Sequence, residues 1–162
     1  MKTLKKKYKG IWFYGFSGSG KTFISKILHR KIKNSVIIDG DKVRKLISTE
    51  LNYSKKDREI QVKRVFGISK IIIDSDKFPI ISTTYFNKEI NLKCKKNGIV
   101  PIRVERENFN KIIEKHKTYK NTSNVVGKDI TYPKFKTIKI NNNNTKQFIY
   151  NFELFKKLKI KK

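Results

Sequence analysis

The chain has 162 residues, enough for one domain with a sizeable core. Its 40 Lys+Arg against 13 Asp+Glu give a formal net charge of +27, which attracts nucleotides, nucleic acid or acidic surfaces. One cysteine, Cys94, excludes an internal disulfide and fits a reducing cytoplasm, and no apolar run approaches the roughly 18 residues of a membrane span.

The first nine residues are basic, and "GIWFYGF" after them is an apolar, aromatic run that reads as a buried strand. A glycine-rich loop follows. "KTFISKILHRKI" then predicts a helix with Phe23, Ile24, Ile27, Leu28 and Ile32 on one stripe. "SVIID" is a second strand, ending at Asp39-Gly40-Asp41 and a short helix through Val43 and Ile47. "SKKDREIQVKRVFGISKIIIDS" is a longer helix, started by Ser54 or Asp57, with Val62, Val65, Phe66, Ser69 and Ile72 at helical spacing. "FPIIST" is the third strand, with Pro79 near its beginning. "KEINLKCKKNG" is a helix closed by Gly98, "IVPIRVE" a fourth strand and "NFNKIIEKHK" a further helix. A polar stretch, "TYKNTSNVVGKDITYP", precedes a fifth strand, "FKTIKI". "NNNN" reads as a turn, and "TKQFIYNFELFKKLK" as a closing amphipathic helix before a lysine tail over 159–162.

Strands alternating with helices predict an α/β domain: a parallel five-stranded sheet with helices on both faces, in one unit over 1–162. Ligands of such sheets sit beyond the carboxyl ends of the strands, so "GFSGSGKT" and "DGD" should face one crevice.

Gly15-x-x-x-x-Gly20-Lys21-Thr22 matches the phosphate-loop pattern in full, between a strand and a helix. Gly15, Gly18 and Gly20, with Ser17 and Ser19 between them, let the backbone N–H groups turn inward onto ATP phosphates. Lys21 reaches the β- and γ-phosphates, and the Thr22 hydroxyl ligates Mg²⁺. The architecture expected is therefore the three-layer fold of phosphate-loop NTPases. Asp41 has two readings: a carboxylate holding metal or accepting a hydroxyl proton, or a helix cap, which Asp39 could equally supply. Arg58, Gln61 and Arg64 share a helix face that suits an anion or simply solvent. His29 reads as surface or satisfied packing. His116, beside the polar stretch, either faces solvent or touches substrate. No cluster suggests zinc, and Cys94 reads as structural.

In order, "GFSGSGKT", "IIDGDKVRKLI", "LNYSKKDREIQVKRV", "STTYFNK", "HKTYKN" and "VVGKDITYP" resemble the adenylylsulfate kinases over about residues 10–158. The resemblance implies transfer of the ATP γ-phosphate to the 3′-hydroxyl of adenosine 5′-phosphosulfate, with Lys21 and Asp41 catalytic. It implies that Arg44, Arg58, Gln61, Thr84 and Tyr85 bind the acceptor, that Tyr53 stacks on its base, and that Lys117 is the lysine of a lid over 115–130. A homodimer is implied as well. The family's ISPYR is Thr84-Tyr85-Phe86-Asn87-Lys88 here, and its FTG is Val125-Val126-Gly127, which removes the second aromatic of an adenine sandwich. Another acceptor nucleotide, such as cytidine diphosphoramidate, is the alternative within the same chemistry. A nucleotide-dependent nucleic-acid binder is the alternative from another class; specific nucleic-acid binding is not expected, because lysine excess also follows from a composition rich in Ile, Asn and Phe.

Overall fold

The computed structural model describes residues 8–120 and 123–143. The closing helix expected over 145–159, the lysine tail and most of the basic start lie outside the described residues. Five strands form one sheet: β1 (Gly10–Tyr14), β2 (Ser35–Asp39), β3 (Phe78–Thr83), β4 (Ile99–Glu105) and β5 (Ile138–Asn141). All neighbours are parallel, in the order β2-β3-β1-β4-β5. Trp12 pairs with Ile81 on one side and Pro101 on the other. This is the three-layer α/β arrangement expected.

The layers follow from side-chain alternation in the strands. Ile11 and Phe13 join Ile24 and Leu28 of α1 (Lys21–Lys31), with Ile80, Val100 and Ile102. Trp12 and Tyr14 face the other way, onto Val43 of α2 (Gly40–Leu46), Val62 and Val65 of α3 (Lys55–Asp74) and Ile90 and Cys94 of α4 (Lys88–Lys96). Each large apolar side chain fully buried this way contributes about 1.5–3 kcal/mol. Phe13→Ala at the sheet centre would therefore cost about 3–5 kcal/mol.

Local signals set the helix ends. The Ser54 hydroxyl accepts from Asp57 N at 3.1 Å and donates to the Asp57 carboxylate at 2.8 Å, closing the start of α3. The Asn87 side chain accepts from Ile90 N at 2.9 Å and starts α4. Three expectations need correction, the first being the strand expected over "FKTIKI", 135–140, which runs over Ile138–Asn141. Phe23 is 55% exposed, because α1 buries Lys21, Ile24, Ser25 and Leu28, and Phe23 lies about 100° of rotation from Ile24. The helix expected over 108–117 is two pieces, α5 (Phe109–Lys115) and α6 (Lys117–Lys120), broken where His116 is extended (φ −83°, ψ 126°). His29 meets Ser35 Oγ through Nδ1 at 2.9 Å and ties α1 to β2.

Candidate functional site

The carboxyl ends of all five strands converge on one crevice, and the phosphate loop at the end of β1 is its floor. Gly15 (φ 156°), Gly18 (φ 82°) and Gly20 (φ 91°) hold conformations that side chains resist. A side chain at Gly15 would also strike the Val104 carbonyl, and one at Gly20 the Asn142 amide. Lys21 turns back into the loop, where its Nζ donates to Phe16 O at 2.7 Å. Burial lowers the Lys21 ammonium from its usual range to about 8, with Asp41 and Asp39 opposing the shift.

Across the loop, the cap question resolves by geometry. The Asp39 carboxylate accepts from Asp41 N at 2.9 Å and Lys42 N at 3.3 Å, starting α2. Its other oxygen accepts from Thr22 Oγ1 at 3.3 Å. Asp41 is left out of the cap. It lines a cavity of about 340 Å³ with Lys21, Thr22, Asp39, Ser82 and His116. Among the described residues no cluster of three or more His, Cys, Asp and Glu could hold a metal alone. A hydroxyl and two carboxylates beside a phosphate loop nevertheless suit Mg²⁺, which takes few protein oxygens and completes its shell from phosphates and water.

A second cavity, about 670 Å³, adjoins the first and shares Ser17, Asp41, Thr83, Thr84 and Thr118 with it. Its walls bring together Arg44, Tyr53, Arg58, Gln61, Thr84 and Tyr85. Arg44 donates to Asn52 O at 2.6 Å. Arg58, 8% exposed, donates to Tyr53 O at 3.0 Å and Asn124 O at 2.8 Å. Both guanidiniums lie over the Tyr53 ring, at 4.7 and 5.3 Å from its centroid. Among the described residues neither arginine forms an ion pair with a carboxylate, and burial followed by Arg44 repulsion pulls Arg58 below the usual guanidinium range. Two such cations at a cavity wall suit an anionic group. Gln61 donates to Gly40 O at 3.0 Å, while its buried Oε1 has no hydrogen-bond partner among the described residues. The Tyr85 hydroxyl donates to Glu59 at 3.3 Å, and burial raises its pKa. Arg64 departs from the face shared with Arg58 and Gln61, pairing with Glu50 instead. Lys117 is exposed and lines none of the cavities at the loop.

Sequence reasoning missed several contributors. A third cavity, about 520 Å³, lies across Gly18 and is lined by Arg106, Asn108, Lys111, Lys115, His116 and Asn143. Arg106 donates to Gly18 O at 3.2 Å, and Asn142 to Ser19 O at 3.0 Å. "NNNN" read as a turn only, although its place after a final strand signalled a crevice position. Trp12 Nε1 donates to Thr83 Oγ1 at 2.8 Å, which donates to Tyr85 O at 2.9 Å. The Tyr132 hydroxyl donates to Thr84 O. These bonds hold the wall at Thr83–Tyr85.

A family model described as adenylylsulphate kinase matches residues 7–126. An adenylyl-sulfate kinase of Staphylococcus haemolyticus is 33% identical over 108 residues, covering 64% of this chain and 47% of that protein. The chain thus spans about half the length of the curated relatives it matches. The solved Mycobacterium tuberculosis APS kinase, in complex with AMPPNP and APS, superposes with a TM-score of 0.74 at 19% identity, covering 93% of this chain and 98% of that one. A hexameric APS kinase from Thiobacillus denitrificans gives a TM-score of 0.65 at 17% identity, covering 97% of this chain and 31% of that one.

Proposed function

The chain belongs to the adenylylsulphate kinase family, and from that premise we propose that it transfers the γ-phosphate of ATP to the 3′-hydroxyl of adenosine 5′-phosphosulfate. The observation that carries this reading is Asp41 on the rim shared by the phosphate cavity and the larger, arginine-lined one. A carboxylate there stands between a donor phosphate and an acceptor hydroxyl.

In this mechanism the loop amides and Lys21 hold the β- and γ-phosphates, and the positive end of α1 adds to their field. Mg²⁺, held by Thr22 with Asp39 and Asp41, would supply charge neutralisation at the phosphates. Asp41 orients the acceptor hydroxyl and takes its proton. Arg44 and Arg58 bind the acceptor's anionic groups, Tyr53 offers ring surface to its base, and the unpartnered Gln61 Oε1 accepts from a donor on it. Thr118 and Val125 close the space from the lid side and exclude water. The donor's base lies toward Arg106 and Asn143. The working assembly is a homodimer, which sedimentation of the purified protein tests.

A second reading keeps this chemistry with a pyrimidine nucleotide as acceptor. It is favoured by Val125 and Val126 at the cavity wall and by the two guanidiniums already over Tyr53. ADP release measured across a panel of acceptor nucleotides tests both. Release with adenylylsulfate alone supports the first, and release with a cytidine nucleotide alone replaces it. Release without any acceptor sinks kinase chemistry on a nucleotide.

A further inference from the structure

The family resemblance points to Lys117 as the lid cation, yet it is its neighbour that lines the cavity at the phosphate loop. We infer that His116, not Lys117, is the lid side chain that contacts the polyphosphate of the bound nucleotide, donating a hydrogen bond from Nε2. This rests on the donor reading above.

The strip carrying His116 is pinned onto the phosphate loop at both ends. Ile112 packs on Gly18, where an added side chain would meet its Cγ2 at 2.9 Å. The Tyr119 hydroxyl donates to Ser17 O at 3.2 Å. Between them the His116 ring lies against Gly18, its Nε2 3.9 Å from where a Gly18 side chain would begin. His116 lines both the phosphate cavity and the Arg106 cavity beyond Gly18, and Thr118 lines both the phosphate and acceptor cavities. Lys117, exposed as His116 is, lies between these two residues and lines none of the three cavities. The cause is the break between α5 and α6. The extended backbone at His116 ends one helix and begins the next, so residues 116 and 118 meet the crevice while 117 faces away.

The ring's tautomer follows from its other nitrogen. Thr118 N donates to His116 Nδ1 at 3.4 Å, so in the neutral ring the proton sits on Nε2. That leaves an N–H donor at the junction of the two cavities, where a chain of phosphates running from base to γ-phosphate must pass. A hydrogen bond to an ionised phosphate is among the stronger kinds.

The test is calorimetric titration of ADP, and of inorganic tripolyphosphate, each with Mg²⁺, into the wild-type protein and the H116A, H116Q, K117A and K21A variants. H116A is expected to weaken both ligands about tenfold, H116Q to recover most of that through its amide N–H, and K117A to stay within about twofold. An unchanged melting temperature for ligand-free H116A separates lost contact from a lost fold. Weakening by K117A with none by H116A overturns the inference, as does an H116Q variant that binds no better than H116A. If K21A weakens binding and H116A does not, the donor reading stands and His116 is not its contact. If K21A changes nothing, the donor reading fails, and this inference with it.

Discussion

Burial acts on Lys21 in a direction that nucleotide binding must reverse. Held near 8 in the folded chain, its ammonium binds fewer protons than an ordinary lysine between about pH 8 and 10.5. Folding stability from this group therefore rises with pH across that window. Phosphates placed against Nζ favour the charged form and raise the pKa again. Nucleotide binding at pH 8 should then take up about half a proton, read by calorimetry in buffers of different ionisation enthalpy, and K21M should take up none. The two aspartates should separate as cleanly. Asp41→Asn is expected to lower kcat by about 10²–10⁴ with the melting temperature unchanged. Asp39→Ala removes the α2 cap and should cost about 1 kcal/mol of stability, read by thermal or denaturant unfolding.

Elements hold the wall of the larger cavity, the proposed acceptor site, through a few long-range bonds. Tyr132, whose hydroxyl burial drives well above its usual pKa, stays a neutral donor to Thr84 O. Its ring also carries the Arg103 guanidinium at 4.9 Å, which ties the segment around Tyr132 to β4. Tyr132→Phe is expected to raise the acceptor KM severalfold and leave the ATP KM within about twofold, because the bond it removes anchors only the wall at Thr84. Arg58 joins α3 to both Tyr53 O and Asn124 O. Asp129 accepts from Val125 N at 2.9 Å and closes the turn that presents Val125 to the cavity. A lysine cannot bridge both carbonyls with a rigid fork, so Arg58→Lys should also raise the acceptor KM, by about tenfold, in steady-state kinetics.

At the scale of the whole molecule the net charge of +27 repels itself. Raising NaCl from about 50 to 300 mM should therefore raise the melting temperature, since the Debye length shrinks below the spacing of many of these charges. The same charge will bind single-stranded nucleic acid at low salt. That binding should fall steeply with salt while acceptor-dependent ADP release persists, which separates a kinase with a basic surface from a nucleic-acid binder. Among the described residues no helix is long and apolar enough to cross a membrane.

The sequence by itself determined most of the elements and the loop. β3 and β4 have the limits their apolar runs predict, and Ser54 and Gly98 mark the helix ends where expected. These are local matters of periodicity, caps and glycine, each written within a few neighbouring residues. The phosphate loop belongs with them, since strand, glycines, lysine and helix are contiguous. The tertiary structure decided which side chains meet across the crevice. Asp39 rather than Asp41 became the cap, His116 rather than Lys117 came to line the cavities at the loop, and Asn142 and Arg106 closed on the loop from the ends of β5 and β4. The reason is the strand order β2-β3-β1-β4-β5, which gathers chain segments up to 123 residues apart. Hydrophobic periodicity specifies which face of a strand is buried; it carries no record of which strand end will lie beside another.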